Sequence, residues 1–492
     1  MNTGEILILL ALVIPLFSAA ITYAVGKMPD VRETLTMVAA IALVTVTIAI
    51  FVRVGQGEAP VWIAARPLIG LELAFRLEPL GALFALMASV LWGLNSLYSV
   101  GYMSGRRESN QTRFYMCFAV AMFATMGIAM AANLFTLFVF YEVLTFATYP
   151  LVAHKGDEAS QKAGRAYLAI LVGASLTLML PAIIAVQALA GSTEFIPGGQ
   201  LAGKVAPGIA GVLLAMLVFG AAKAALIPVH GWLPGAMVAP APVSALLHAV
   251  AVVKAGVFTI LKLSAYTFGP ELISQLNAAQ YLIWIAAAGI VIAGFRALTK
   301  EDLKARLAWS TIGQLAYITS AALLPFGAGL VAGGLHMVTH GVAKITLFMC
   351  AGAIYVATGA QRVTEMRGLG RRMPIVFCCF LIGALSVVGL PPFGGFWSKF
   401  LLITESLKTD QWILAAAMVL SSILSLFYLA PVAIRALLPP DEDGQPADFI
   451  RPGGAPALAV VPAMITAAAC IALFFSADAI ARYLAPIAGG AR

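Results

Sequence analysis

The chain has 492 residues, of which 61% are hydrophobic and 11% are charged. Soluble domains carry about 25% charged residues, so this composition indicates a protein inserted in a lipid bilayer. The net charge is +8, but no basic run or aromatic-interleaved basic patch occurs, which argues against nucleic-acid binding. The five cysteines show no CxxC spacing, so neither a disulfide framework, a zinc site nor an iron–sulfur cluster is indicated.

The first 25 residues are predicted to form a membrane helix. They have an apolar core but no basic segment before it, and the only charge before Lys27 is Glu5. A cleaved signal peptide normally begins with positive charge, so cleavage is the weaker alternative.

Apolar stretches of about 20 residues, the length needed to cross the hydrocarbon core, recur along the whole chain. They predict an all-α polytopic membrane protein with about fourteen transmembrane helices. The predicted helices begin near residues 5, 33, 77, 113, 133, 164, 208, 241, 280, 307, 328, 374, 412 and 456.

The loops that follow odd-numbered helices carry about three times as many lysines and arginines as those that follow even-numbered helices. Cytoplasmic loops hold the excess of positive charge. Both termini are therefore predicted to face the outside of a cell (inner) membrane.

Two of the predicted helices contain helix-breaking residues beside a lysine. The seventh contains Lys223 followed by Pro228 and Pro234, and the twelfth contains Pro391 and Pro392 before Lys399. Interrupted helices at corresponding positions of two halves are typical of inverted-repeat transporters, although two unrelated proline kinks would look the same. The predicted units are 1–105 (helices 1–3), 113–266 (first repeat), 280–435 (second repeat) and 456–492 (the last helix).

Several ionisable residues lie in the middle of predicted membrane helices. Each is expected to cost roughly 2.5–3.5 kcal/mol near the bilayer centre, so a structural role alone is a weak explanation. Snorkelling of lysines to the interface is the alternative, above all for Lys254. The candidate proton-translocation residues are Glu142, Lys223, His248, Lys254, His336, His340, Lys344 and Lys399.

Two arrangements among these residues favour proton transfer. An ion pair between Glu142 and Lys223 would keep the lysine charged while closed and make it a proton donor when open. His336, His340 and Lys344 recur at intervals of four and share one helix face, as a proton relay requires. Metal binding by the two histidines is disfavoured by the adjacent Lys344, and simple hydrogen bonding between helices remains open.

Two charged segments are interpreted as polar loops. Thr299–Arg306 is expected to be a solvated turn at the start of the tenth helix. Asp441–Asp443 is a short acidic stretch that could face a partner subunit.

Motifs across helices three to thirteen resemble the proton-conducting antiporter-type subunits shared by Mrp cation/proton antiporters, respiratory complex I and membrane-bound hydrogenases. The resemblance is carried by Lys223–Pro234, Val243–Gly256, Asp302–Gln314, His336–Phe348 and Leu390–Phe400. The third helix departs from the pattern because it opens with Glu78-Pro79-Leu80, where many relatives have an aspartate. The chain also ends soon after the last helix, like a D-type Mrp subunit or a medium-sized complex I subunit.

The resemblance implies a role for each matching residue. Glu142 and Lys223 would form the pair near the proton entry, and Lys254 would be the bridging lysine. His340 and Lys344 would be the central relay, with Lys399 next to the exit.

The sequence therefore predicts a proton-translocating subunit of a multi-subunit monovalent cation/proton antiporter of the Mrp type. Its partners would be other membrane subunits, protons and Na⁺ or another monovalent cation. The alternative within the family is a proton-pumping subunit of NADH-quinone oxidoreductase or of an energy-converting hydrogenase. Outside the family, the alternatives are a stand-alone solute transporter and a purely structural subunit. No cofactor motif is recognisable, so any redox chemistry is expected to belong to partners, and whether the chain counts as part of an enzyme depends on its complex.

Overall fold

The computed structural model describes residues 2–68, 70–439 and 454–489. Two features of the sequence lie outside these ranges, the acidic stretch Asp441–Asp443 and Arg451 in a predicted cytoplasmic loop.

In the part of the first half that the structure describes, there are ten α-helices and one β-hairpin. The hairpin strands are β1 (Val61–Leu68) and β2 (Leu71–Arg76). The helices are α1 (Thr3–Ala24), α2 (Pro29–Gly55), α3 (Pro79–Arg106), α4 (Gln111–Met130), α5 (Leu134–Val152), α6 (Glu158–Ala174), α7 (Leu180–Ala190), α8 (Pro207–Gly220), α9 (Trp232–Gly235) and α10 (Ala241–Ala245).

The described residues of the second half form helices joined by loops. Its helices are α11 (Val252–Lys262), α12 (Pro270–Gln275), α13 (Asn277–Leu298), α14 (Leu303–Ala322), α15 (Leu330–Thr358), α16 (Leu369–Arg372), α17 (Pro374–Val388), α18 (Gly395–Lys408), α19 (Trp412–Leu437) and α20 (Ala457–Leu484).

The predicted polytopic all-α fold is confirmed. Among the described residues, 11 helical stretches are long and apolar enough to cross a membrane, and the shorter α8 and α17 are also apolar. A helix begins close to every predicted start. The total of fourteen membrane crossings stays a prediction.

Both predicted helix interruptions are present. α8 ends at Gly220, Lys223 lies in a 3₁₀ turn (Ala222–Ala224), and a regular helix resumes only at Trp232. α17 ends at Val388 and α18 begins at Gly395. Both interruptions contain prolines, which lack the backbone N–H that would continue a helix.

The π-helical turns next to α11 were not predicted. Leu246–Val250 joins α10 to α11, and Leu263–Phe268 follows α11. Each inserts an extra residue into a helical turn and so changes which side chains face a given neighbour.

The β-hairpin is the second feature that the sequence analysis missed. Its strands are antiparallel, with Val61 opposite Arg76 and Trp62 opposite Phe75. Its second strand is fastened to the α4–α5 junction, where Thr136 Oγ1 accepts a 3.0 Å hydrogen bond from the Ala74 backbone N–H. The hairpin therefore covers one end of the bundle.

The centre of the bundle is formed by the stretch from α10 through α11, together with α15. The most apolar window of 241–268 is 100% buried and that of α15 is 94% buried, whereas those of α1 and α2 are 39% and 33% buried. Most polar side chains on the central helices are therefore surrounded by protein.

Candidate functional site

The predicted site residues lie inside the protein and not on its lipid-facing exterior. Glu142 is half-buried, and the other seven have exposed fractions between 0% and 3%. Lys254, for which snorkelling was an alternative, is 0% exposed. Its head group therefore does not reach the interface.

The closest contact among these residues joins α11 to α15. Lys254 Nζ lies 2.6 Å from His340 Nδ1. Because an amine and an imidazole at hydrogen-bond distance can share a proton, this contact is a candidate transfer step.

His336 continues the sequence of contacts one turn along α15. Its ring is nearly parallel to that of His340, with centroids 5.9 Å apart. Its Nδ1 lies 2.9 Å from Ser398 Oγ on α18, and its Nε2 lies 3.1 Å from Gln314 Oε1 on α14. His336 thus joins three helices through both ring nitrogens.

Lys399 lies at the interruption between α17 and α18. Its Nζ donates to Ser422 Oγ at 3.0 Å and to the Val388 carbonyl at 3.2 Å. The Tyr317 ring lies between this lysine and His336, 5.1 Å from Lys399 Nζ and 5.5 Å from the His336 ring. We call Lys254, His340, His336, Ser398 and Lys399 the central track.

Lys344 forms a branch and not a third rung of the predicted ladder. Its Nζ donates to Ser310 Oγ on α14 at 2.6 Å, and this hydroxyl also accepts from Tyr428 OH at 2.8 Å. The spacing of four places Lys344 on the same helix face as the histidines, but its flexible side chain turns toward α14.

The predicted ion pair between Glu142 and Lys223 is open in this structure. Lys223 Nζ donates to the Tyr141 carbonyl at 2.8 Å and to Thr145 Oγ1 at 2.6 Å. Glu142 follows Tyr141 on α5, and both of its carboxylate oxygens are buried without a hydrogen-bond partner. Lys223 therefore lies beside the turn of α5 that bears the carboxylate but binds its neighbours.

His248 lies in the π-helical turn Leu246–Val250 and is 0% exposed. Neither ring nitrogen has a hydrogen-bond partner among the described residues. The ring lies 4.6 Å from that of Phe348 on α15. His248 is therefore near the central helices but not bonded to the track.

α11 crosses directly over the 3₁₀ turn that holds Lys223. A Cβ added at Gly256 would overlap the backbone of Lys223 and Ala224. Glycine at this position therefore sets the distance between the lysine of the interrupted helix and the helix that carries Lys254.

Sequence reasoning singled out Glu78 but did not identify Lys262 as its buried partner. Lys262 Nζ lies 2.7 Å from Glu78 Oε1, with side-chain exposures of 1% and 9%. Lys262 is a lysine within the apolar stretch 241–268, the same signal that identified Lys254.

The arrangement brings together amines and imidazoles, and the described residues show no cluster suited to metal. Within residues 2–68, 70–439 and 454–489, no group of three or more His, Cys, Asp and Glu side chains could hold a metal ion. Both ring nitrogens of His336 contact neutral side chains. Interhelical hydrogen bonding by His336 is thus observed, and it is compatible with a relay.

A family profile and curated relatives match this chain over most of its length. The family described as "NADH:quinone oxidoreductase/Mrp antiporter, TM" matches residues 131–425. NADH-quinone oxidoreductase subunit N of Desulforudis audaxviator is 32% identical over 449 residues, covering 87% of this chain and 86% of the relative. A Na(+)/H(+) antiporter subunit of Alkalihalophilus pseudofirmus is 30% identical over 371 residues, covering 70% of this chain and 44% of the relative. The chain thus spans about half the length or less of relatives such as this antiporter protein.

Solved structures share the fold. A chain of the Mrp complex from a Dietzia species matches with a TM-score of 0.87 and 23% identity, covering 99% of this chain and 97% of that one. A chain of an archaeal membrane-bound sulfane sulfur reductase matches with a TM-score of 0.85 and 24% identity, covering 98% and 97%.

Proposed function

Because this chain belongs to the NADH:quinone oxidoreductase/Mrp antiporter transmembrane family, we propose that it is the proton-translocating membrane subunit of a multi-subunit monovalent cation/proton antiporter. The observation that carries this proposal is the central track inside the bundle. In it Lys254 contacts His340, the His340 ring stacks on that of His336, and His336 contacts Ser398, while the Tyr317 ring separates His336 from Lys399. Buried ionisable groups are costly in a membrane protein and typically mark ion pathways.

The proposed roles follow the order of the contacts. Glu142 and Lys223 take up the proton, and Lys254 passes it to His340. His336 carries it on toward Lys399, with Lys344 and His248 as further proton-holding groups beside the track. The open state of Glu142 and Lys223 supports a switching role, since each group is held close to the other without an ion pair.

The proposed setting is a cell inner membrane, with both chain termini on the outer side. The partners are other membrane subunits of the assembly, and the coupled ion is Na⁺ or another monovalent cation. The Alkalihalophilus relative, whose name describes a Na(+)/H(+) antiporter component, supports this choice.

One observation favours a second candidate function. The relative named NADH-quinone oxidoreductase subunit N is matched over most of both chains, whereas more than half of the Alkalihalophilus antiporter protein is unmatched. A proton-pumping subunit of an NADH-quinone oxidoreductase is therefore the alternative function.

The decisive test uses everted membrane vesicles that contain the complete assembly. We expect Lys254→Met to lower Na⁺- or K⁺-driven proton movement, measured by dequenching of a pH-sensitive dye, at least tenfold per assembled complex. The matched control is Lys408→Met, because this lysine is exposed and pairs with Glu405. A wild-type rate in Lys254→Met would contradict the proposed function.

The same vesicles separate the two candidate functions. If the assembly is an antiporter, adding the cation moves protons in vesicles whose proton gradient was made by another enzyme. The assembly that contains this chain then needs no NADH oxidation of its own. A redox-driven pump acidifies the vesicles only while NADH is oxidised by the assembly that contains this chain.

A further inference from the structure

The buried pair of Lys262 and Glu78 lies at the end of the bundle that the hairpin covers. Lys262 Nζ also donates to the Ala131 carbonyl at 2.6 Å and lies 4.7 Å from the centroid of the Phe195 ring. Glu78 immediately precedes α3, and Ala131 immediately follows α4. One ammonium therefore contacts the ends of two helices and a loop.

A cavity of about 370 Å³ reaches Glu78 of this pair from the surface. We call it the hairpin cavity, and its walls include Glu58, Arg76, Glu78, Phe195 and Tyr266. Gly57, Glu58 and Ala59 at its rim are exposed. The volume holds several water molecules, each of which takes about 30 Å³ in the liquid. The Glu78 carboxylate is therefore a buried acid on the wall of a space that water can enter.

The lysine of the pair shares a helix face with the central track. Lys254, Phe258 and Lys262 recur at intervals of four on α11, so their side chains follow one another along that face. The two lysines are about 12 Å apart along the helix axis at 1.5 Å per residue. The Phe258 ring lies between them, 5.5 Å from Lys262 Nζ and stacked on Phe84 at 4.7 Å.

We propose that Glu78 and Lys262 form a proton-exchange site that connects Lys254 to the hairpin cavity, with the stacked rings of Phe258 and Phe84 as its gate. This inference rests on the proposed function, because it needs Lys254 to carry protons. When the rings part, the Lys254 ammonium gives its proton to Lys262 as Lys262 gives one of its own to the Glu78 carboxylate. Glu78 then releases the proton to water in the cavity, which leaves Lys254 neutral and the pair as it began.

A purely structural role is the competing explanation, because the pair also fastens helix ends. Replacing a buried ion pair by well-packed apolar residues is often neutral or stabilising, so fastening alone gives little reason for two charges here. A pair that only fastened helix ends would not need Glu78 to line a water-accessible cavity. Nor would it need Lys262 to share a helix face with Lys254.

The first experiment measures cation-driven proton movement per assembled complex in everted vesicles. We expect Glu78→Gln and Lys262→Met to lower the rate at least tenfold, and Glu78→Asp to keep at least a third of it because the carboxyl remains. Glu58→Gln is the matched control, since this carboxylate lies at the rim of the same cavity. A wild-type rate in Glu78→Gln overturns the proposal, as does loss of the assembled complex in both Glu78→Gln and Lys262→Met.

The second experiment tests the gate by measuring the passive proton leak, which would not change if the pair only fastened helix ends. Phe258→Ala is expected to raise the passive proton leak after an imposed pH step at least fivefold. Adding Glu78→Gln to it should return the leak to within twofold of wild type, whereas adding Glu58→Gln should not. A leak that is absent or insensitive to Glu78→Gln overturns the proposal.

Two further variants keep the outcomes distinct. If Phe258→Ala fails to assemble, Phe84→Ala takes its place in the leak measurement. If neither variant assembles, the first experiment alone decides whether the exchange site exists. Lys254→Met in parallel separates the two proposals. If it is inactive while Glu78→Gln is active, only the exchange site is wrong; if it is active, the proposed function itself fails.

Discussion

At the scale of single residues, the site depends on how closely the backbone approaches the lysine side chains. Gly389 ends α17 with φ +90°, a conformation that residues with a Cβ rarely adopt. A Cβ at this position would lie 2.8 Å from Lys399 Cδ. The glycine therefore leaves the space that the Lys399 side chain fills.

Gly389→Ala is expected to lower transport at least fivefold, because the methyl group displaces Lys399 from Ser422. The backbone strain adds a loss of more than about 1 kcal/mol in the free energy of unfolding. The measurements are the vesicle transport rate and the thermal stability of the purified assembly. Gly191→Ala is the matched control, since this glycine has φ +75° but open space around its Cβ position. If both variants transport equally, the contact with Lys399 is unimportant.

Tyr317 is a second residue whose ring and hydroxyl have separable roles. The ring lies between His336 and Lys399, whereas the hydroxyl donates to the Met418 carbonyl at 2.6 Å. Tyr317→Phe should keep more than half of the transport rate and lose about 1 kcal/mol of stability for the missing hydrogen bond. Tyr317→Leu should lower transport at least fivefold, because it removes the ring that contacts both basic groups. Equal rates in the two variants would contradict a role for the ring.

At the scale of elements, the interrupted helix α8 and the central helix α11 are fitted to each other. The 3₁₀ turn that holds Lys223 is enclosed by α11 at Gly256 and by Tyr141 of α5, whose hydroxyl accepts from the Lys223 backbone N–H at 3.0 Å. Trp232 Nε1 donates to the Ala222 carbonyl at 3.1 Å and fixes the other side of the turn. The turn is thus held by side chains where it lacks helical hydrogen bonds.

Gly256→Ala is expected to push α11 away from this turn and reduce the amount of assembled protein at least threefold. The overlap is with backbone atoms, which cannot move aside as a flexible side chain can. The amount is measured by native gel electrophoresis of solubilised membranes. Gly173→Ala on α6 is the control, because nothing lies within 4 Å of its Cβ position. Wild-type assembly of Gly256→Ala would show that the two elements can separate without cost.

The elements that the sequence could predict are those marked by a local pattern of residues along the chain. Apolar length identifies the helices, and Pro228, Pro391 and Pro392 identify both interruptions. The hairpin was missed because its strands are short and lie within a loop between two strong helix signals. The π-helical turn at His248 was missed because packing, and not local composition, inserts the extra residue.

The site was predicted in the same uneven way. The buried positions of His336 and His340 follow from their place in apolar spans. For Lys254 the sequence left snorkelling open, and the structure shows the side chain buried. The turn of Lys344 toward Ser310 and the open state of Glu142 and Lys223 depend on rotamers, which the spacing of residues does not determine. The partner of Lys262 comes from a residue far away in the chain, so only the fold could reveal Glu78.

At the scale of the whole molecule, the two ends of the bundle differ in charge and in covering. The hairpin and Lys204 lie in connections after even-numbered predicted helices, and Lys155 lies in a connection after an odd-numbered one. The positive-inside rule assigns the Lys155 end to the cytoplasm. On this proposed orientation, the hairpin cavity would open to the outside.

Cysteine labelling tests this orientation. In a Cys378→Ser background, which removes the exposed native thiol, we expect an impermeant maleimide to label Lys204→Cys but not Lys155→Cys in right-side-out vesicles. Everted vesicles should give the reverse pattern. Both lysines are exposed, so a difference in labelling reports the side and not burial. Labelling of Lys155→Cys in right-side-out vesicles would invert the proposed topology.

The enclosure of α14 has a consequence for how the protein is made. This helix carries Lys304, Arg306 and Gln314, and it is absent from the described stretches that are apolar enough to cross a membrane. It is joined to the apolar α13 by a short connection and is buried along almost its whole length. A segment with this polar content would partition poorly into lipid by itself. During synthesis, α14 should therefore insert into the bilayer together with α13 as a helical pair. We expect it to stay in contact with the insertion machinery until α15 has been synthesised and packs against it.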